Sequence, residues 1–154
     1  MNFLHDIFTN FPLIMAIISW FLAQVIKFFI VLIVYPSKLT RKTIMSSGGM
    51  PSSHSAVVCS LTTSIAMTEG FASPLFAICA VLSFIVMYDA AGVRRSAGEQ
   101  AQMLNEIIAQ LSEQNQLQNE QMVREIFGHT PLQVVVGAGI GILIPIVTHL
   151  IFKI

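Results

Sequence analysis

Apolar residues along this chain come in long blocks, not at the alternating or 3.6-residue spacing of a half-buried element. A helix that crosses a bilayer needs about 20 mostly apolar residues. The block from Phe11 to Tyr35 supplies them, interrupted by Gln24 and Lys27. A second, shorter block from Ser55 to Glu69 is rich in Ser and Thr. A third covers about Phe71 to Gly92, and a fourth about Thr130 to Phe152. The pattern predicts an all-α, polytopic membrane bundle of about four spans, 11–35, 55–69, 71–92 and 130–152, in a single membrane domain over 1–154. The second segment is short enough to be expected as a tilted or partly re-entrant helix.

A polar, amphipathic helical insertion is expected over about 96–128. Ala97, Ala101, Leu104, Ile108 and Leu111 recur at spacings of four, three, four and three, which gives a helix with one apolar stripe. Ser112 to Gln121 is almost wholly polar and reads as a solvated extension or a loop. Met122, Val123, Ile126 and Phe127 resume an apolar face before Gly128. The insertion is expected as a helical hairpin lying against its own membrane domain; a homodimer seam or a helix on the lipid surface are the alternatives. In the fourth span, Gly137 and Gly141 have the four-residue spacing that lets helix backbones approach closely.

Composition agrees with this reading. Hydrophobic residues make up 55% of the chain and charged residues 10%, with mean hydropathy +0.75; a soluble domain carries about 25% charge. Net charge is zero, so bulk charge says nothing about nucleic-acid or acidic partners, and no nucleic acid is expected as one. Cys59 and Cys79 both lie in apolar blocks, where thiols behave as small hydrophobes, and form neither a disulfide framework nor a metal pair. No basic leader or small-residue cleavage site marks a signal peptide. Lys38, Arg41 and Lys42 follow the first span, and Arg94, Arg95 and Arg124 follow the third. With four spans those two linkers share a side holding six of the eight Lys and Arg residues, which is expected to be the cytoplasmic face of the cell membrane.

Three polar clusters carry candidate chemistry. Ser46-Ser47-Gly48-Gly49-Met50-Pro51-Ser52-Ser53-His54-Ser55 makes a loop at its glycines and proline, after which Ser52 or Ser53 caps a helix. A helix start offers outward N–H groups and the positive end of a dipole, which suits an anion. A histidine there can protonate a leaving oxygen near neutral pH. The second cluster, Tyr88-Asp89-Ala90-Ala91-Gly92-Val93-Arg94-Arg95, sets an Asp at the edge of an apolar helix, which is costly unless paired. Arg94 or Arg95 either pairs with it, anchors the span, or holds phosphate through two hydrogen bonds. The third, Gly128-His129-Thr130-Pro131, places His129 just outside a helix start, with Thr130 as cap and Pro131 in the first turn. Lys27, with Gln24 one turn earlier, reads as a bundle-facing lysine. In the expected topology His54, Asp89, Arg95 and His129 all fall at the same end of their spans, and Lys27 lies in that half of its helix. Independent decoration would scatter them over both faces.

Taken together and in this order, these motifs resemble the divergent branch of the type-2 phosphatidic acid phosphatase family, related to acid phosphatases and vanadium-dependent haloperoxidases. The resemblance runs from Lys27 to Gly141. It implies a metal-independent phosphatase with no cofactor. His129 resembles the nucleophile on phosphorus and His54 the general acid. Lys27 and the backbone at Ser52 and Ser53 resemble the phosphate cradle, with Arg95 as a clamp. The chain departs from the parent pattern where Ser53 replaces a glycine, where no Arg-Pro follows the lysine, and where Gln133 stands for the carboxylate behind the nucleophile. Asp89 is a candidate to replace that carboxylate in space, or to hold magnesium in a metal-assisted variant. The implied activity is hydrolysis of a lipid phosphate or pyrophosphate through a phosphohistidine, with membrane lipids as partners. The alternative is a non-catalytic binder of phosphorylated headgroups or a structural membrane protein.

Overall fold

The computed structural model describes residues 3–34, 49–113 and 128–152, apart from the side chains at 3, 4, 94, 95 and 111–113. Within them the regular elements are helices: α1 (Phe3–Phe8), α2 (Phe11–Val34), α3 (Ser53–Glu69), α4 (Pro74–Ala91), α5 (Val93–Glu113) and α6 (Pro131–Phe152). The basic loop with Lys38, Arg41 and Lys42, the run 114–127 and the side chains of Arg94 and Arg95 lie outside what is described.

Local chemistry sets the boundaries. Asn10 starts α2, its Oδ1 accepting from the Leu13 N–H at 3.0 Å. Ser52 caps α3 by accepting from the Ser55 N–H. That helix ends at Gly70, whose φ of +83° suits a residue without a Cβ. Ser73 caps α4, with Pro74 in the first turn where a missing N–H costs nothing.

Three stretches are long and apolar enough to cross a bilayer: Phe11–Val34, Pro131–Phe152 and Pro74–Gln110, which contains α4. The 17-residue α3 falls short, at about 25 Å for a rise of ~1.5 Å per residue. Its surroundings explain its composition. α3 is the central helix, packing most extensively on α6, then on α2 and α4. A helix enclosed by other helices gains more from small side chains than from bulky apolar ones, and Ser55, Ala56, Ser60 and Ser64 are fully buried on it.

Two contacts fix how these helices meet. A Cβ on Gly137 would run into the Ser52 carbonyl oxygen, and one on Gly141 into that of Ala56, whereas Gly139 faces open space. α6 therefore lies against α3 backbone to backbone. Between α3 and α4, the Thr62 hydroxyl lies 2.7 Å from that of Ser83, which donates to the Val58 carbonyl at 2.9 Å. These contacts close a polar staple between two otherwise apolar surfaces.

The helix ends are tied as well. The Ser52 N–H donates to the Gln133 carbonyl at 3.0 Å, and the His129 N–H to the Ala90 carbonyl at 3.1 Å. The start of α3, the end of α4 and the start of α6 thus share one end of the bundle.

Candidate functional site

At that end α3 begins with its first-turn amides outside the helical ladder. The Ser52 Oγ is committed to Ser55, through its N–H at 3.3 Å and its hydroxyl at 3.0 Å, and the Ala56 N–H closes on the Ser52 carbonyl. By helix geometry the amides of Ser53 and His54 point out of the helix end, where an anion is stabilised. Gly49, at φ +90°, turns the preceding loop across Lys27. A Cβ on it would sit 3.8–3.9 Å from the Lys27 stem. Lys27 is 1% exposed, and with Ser19 and Ala23 it forms the buried line of α2.

His129 is also 1% exposed, and its orientation follows from elementary hydrogen-bond chemistry. The Thr130 N–H lies 3.1 Å from Gln133 Oε1. A backbone N–H can only donate, so the atom facing it is the amide oxygen. The His129 Nδ1 lies 3.2 Å from the same oxygen and must carry the proton. The lone pair of the neutral ring is then on Nε2. That atom is fully buried and has no hydrogen-bond partner among the described residues.

The electrostatics act in the same direction. Burial pushes the His129 pKa below its ordinary value, and the charges of Lys27 and His54 add to this. The Gln133 contact and the Gly49 backbone offset it only in part. The His54 ring sits at the exposed rim, with its centroid 6.4 Å from that of His129 and the planes at 63°. One imidazole is enclosed and the other open.

The structure therefore gathers Lys27, Ser52, Ser53, His54 and His129 at one place. Asp89 is half-buried and adjoins Ala90, which anchors the His129 backbone. Arg95 lies in the first turn of α5, its side chain outside the described residues. Among those residues no group of three or more His, Cys, Asp and Glu is placed to hold a metal ion.

Sequence reasoning missed the part played by Gln133. The signal was present in Thr130-Pro131-Leu132-Gln133, a capping box. Its Thr hydroxyl faces the Gln133 N–H at 3.4 Å while the Gln side chain returns to the Thr130 N–H. The same return places the amide oxygen under His129.

Residues 8–144 match the family model described as the divergent PAP2 family. An uncharacterized membrane protein of Bacillus subtilis (strain 168), YuiD, is 38% identical over 157 residues, covering 96% of this chain and 99% of its own. No solved structure matches.

Proposed function

The chain belongs to the divergent PAP2 family, and on that premise we propose that it is a membrane phosphatase-like protein that hydrolyses a lipid phosphate or pyrophosphate through a phosphohistidine. The observation that carries this reading is the buried Nε2 of His129, without a hydrogen-bond partner among the described residues, held beside His54 and Lys27.

The reaction uses these groups in two steps. Phosphate oxygens sit against the start of α3 and the Lys27 ammonium, with Arg95 as a further clamp. The Nε2 lone pair attacks phosphorus and the bond to the leaving oxygen breaks. His54, open to the headgroup side, gives that oxygen its proton. The neutral His54 then takes a proton from water, which attacks the phosphohistidine, releases inorganic phosphate and restores His129. Asp89 lies one residue before Ala90, whose carbonyl accepts from the His129 N–H. The cytoplasmic face of the cell membrane is the side proposed for the site, because six of eight basic residues fall in the linkers at that end.

A second reading, a non-catalytic binder of phosphorylated headgroups, is favoured by Gln133 alone. An amide orients the imidazole but does not neutralise an imidazolium as a carboxylate does.

Phosphate release from a panel of lipid phosphates and pyrophosphates by the detergent-purified protein separates the two. The enzyme reading expects release that His129→Ala abolishes and His54→Ala lowers by about 10²- to 10⁴-fold. Binding of the same lipids without release supports the second reading. Release unchanged in both variants places the chemistry elsewhere and overturns the assignment of the site.

A further inference from the structure

A hydroxyl inside a helix can be satisfied by the carbonyl four residues back, and Thr62 of α3 bonds to Val58 in this way at 2.8 Å. Ser19 of α2 and Ser60 and Ser64 of α3 do not. All three are 0% exposed, and their Oγ atoms have no hydrogen-bond partner among the described residues. Each hydroxyl is thus turned off its own helix ladder. A buried polar group left in that state is costly, most of all inside a bilayer.

The three face one seam. α3 presents Val58 and Thr62 to α4, where they bond with Ser83 and Cys79. It meets Gly141 of α6 at Ala56, Cys59 and Ser60. At about 100° per residue, Ser53, Ser60 and Ser64 fall within about 40° of one another, roughly opposite the α4 side. α2 covers that side, as the neighbour on which α3 packs most after α6. α2 in turn packs more on α3 than on α6, and its buried line of Ser19, Ala23 and Lys27 is the side it turns to α3.

Depth agrees with this pairing. Gly49, just before α3, lies against the Lys27 stem, so Lys27 and Ser53 share the site end and the two helices run antiparallel. At ~1.5 Å per residue, Ser19 lies about 12 Å in from Lys27, while Ser60 and Ser64 lie about 10 and 16 Å in from Ser53. Ser19 therefore falls level with the two serines of α3.

We propose that Ser19, Ser60 and Ser64 form a water-binding site inside the bundle, in which ordered water bridges α2 to α3 below Lys27. Hydroxyls both donate and accept, as water does, and three of them supply the two to four contacts that hold a buried water. A cation would need a counter-charge. α2 has no acidic residue and α3 has Glu69 alone, at its far end, whereas Lys27 already makes this seam positive. An anion would have to leave the Lys27 ammonium and the first amides of α3 for neutral hydroxyls. The water site is independent of the chemistry at His129.

Water-edited solid-state NMR of the full-length protein in lipid vesicles tests it, by reading magnetisation transfer from water to single residues. Transfer to Ser19, Ser60 and Ser64 should be severalfold stronger than to Ser83, which is also buried but bonds within the protein. Transfer no stronger than at Ser83 overturns the site. Thermal unfolding in detergent of Ser19→Ala, Ser64→Ala and the double variant is the second measurement. A shared water predicts that each single change lowers the midpoint and that the double change lowers it by less than the sum. Midpoints that rise or stay level mean dry hydroxyls, whose removal relieves a desolvation cost, and an additive fall means no shared bridge; either result counts against the site. Lowered midpoints without water transfer mean that the serines bond directly across the seam, which overturns it equally.

Discussion

Gln133 accepts two hydrogen bonds on one oxygen, from the Thr130 N–H and from the His129 ring, and so a helix cap also sets a tautomer. The ring works as a nucleophile only when neutral. Because burial holds its pKa below the usual histidine value of about 6.5, the ring stays neutral further into acid. The acidic limb of the pH–rate profile should therefore fall below that value. Gln133→Glu keeps the shape and both hydrogen bonds but adds a negative charge, which favours the imidazolium and moves the acidic limb to higher pH. A profile of kcat/KM for both proteins checks the pair, and an unmoved limb would detach His129 from the rate. At this scale the sequence was informative where a polar residue interrupts an apolar block or borders a helix start, as Lys27, His54 and His129 do. The capping-box spacing from Thr130 to Gln133 also carried a signal, but the contact it makes with His129 depends on the return of a side chain to a backbone N–H, and burial, which leaves His54 open and His129 enclosed, has no mark in the sequence.

Elements in this bundle meet through small residues, and glycines 137 and 139 separate contact from mere presence. A methyl on Gly137 collides with the Ser52 carbonyl, the same residue whose N–H is bound by Gln133. Gly137→Ala should cost about 1–3 kcal/mol and displace the start of α3, so that activity falls with stability. Gly139→Ala meets nothing and should leave the thermal midpoint unchanged or raise it, since Ala is favoured over Gly in a helix by up to ~1 kcal/mol. Thermal unfolding in detergent compares the two. Removing the staple with Ser83→Ala, which leaves Thr62 without its side-chain partner on α4, should cost about 0.6–1.7 kcal/mol. The long spans were legible because lipid demands apolar side chains along their whole outer surface. α3 read as weak for the converse reason, since its neighbours are helices. The six-residue α1 has no period long enough to be seen in the sequence.

Across the whole molecule, the ends of α3, α4 and α6 that carry the site are tied to one another, so the far end of α4 must be reached by α3. α3 therefore runs as far along the bundle as α4 does, despite its polar composition. Cysteines placed at Met50 and Thr130 should therefore react with an impermeant thiol reagent from one side of sealed vesicles, and one at Ala72 from the other. Labelling of all three from one side would leave α3 re-entrant. The proposed phosphatase chemistry turns on His129 forming a bond to phosphorus. The direct measurement is a rapid quench of the full-length protein with lipid phosphate labelled in its phosphoryl group, followed by mapping of the labelled peptide. The expected result is an acid-labile, alkali-stable phosphoryl group on the peptide containing His129, absent in His129→Ala. Turnover without a labelled protein, or with the label on another residue, would contradict it.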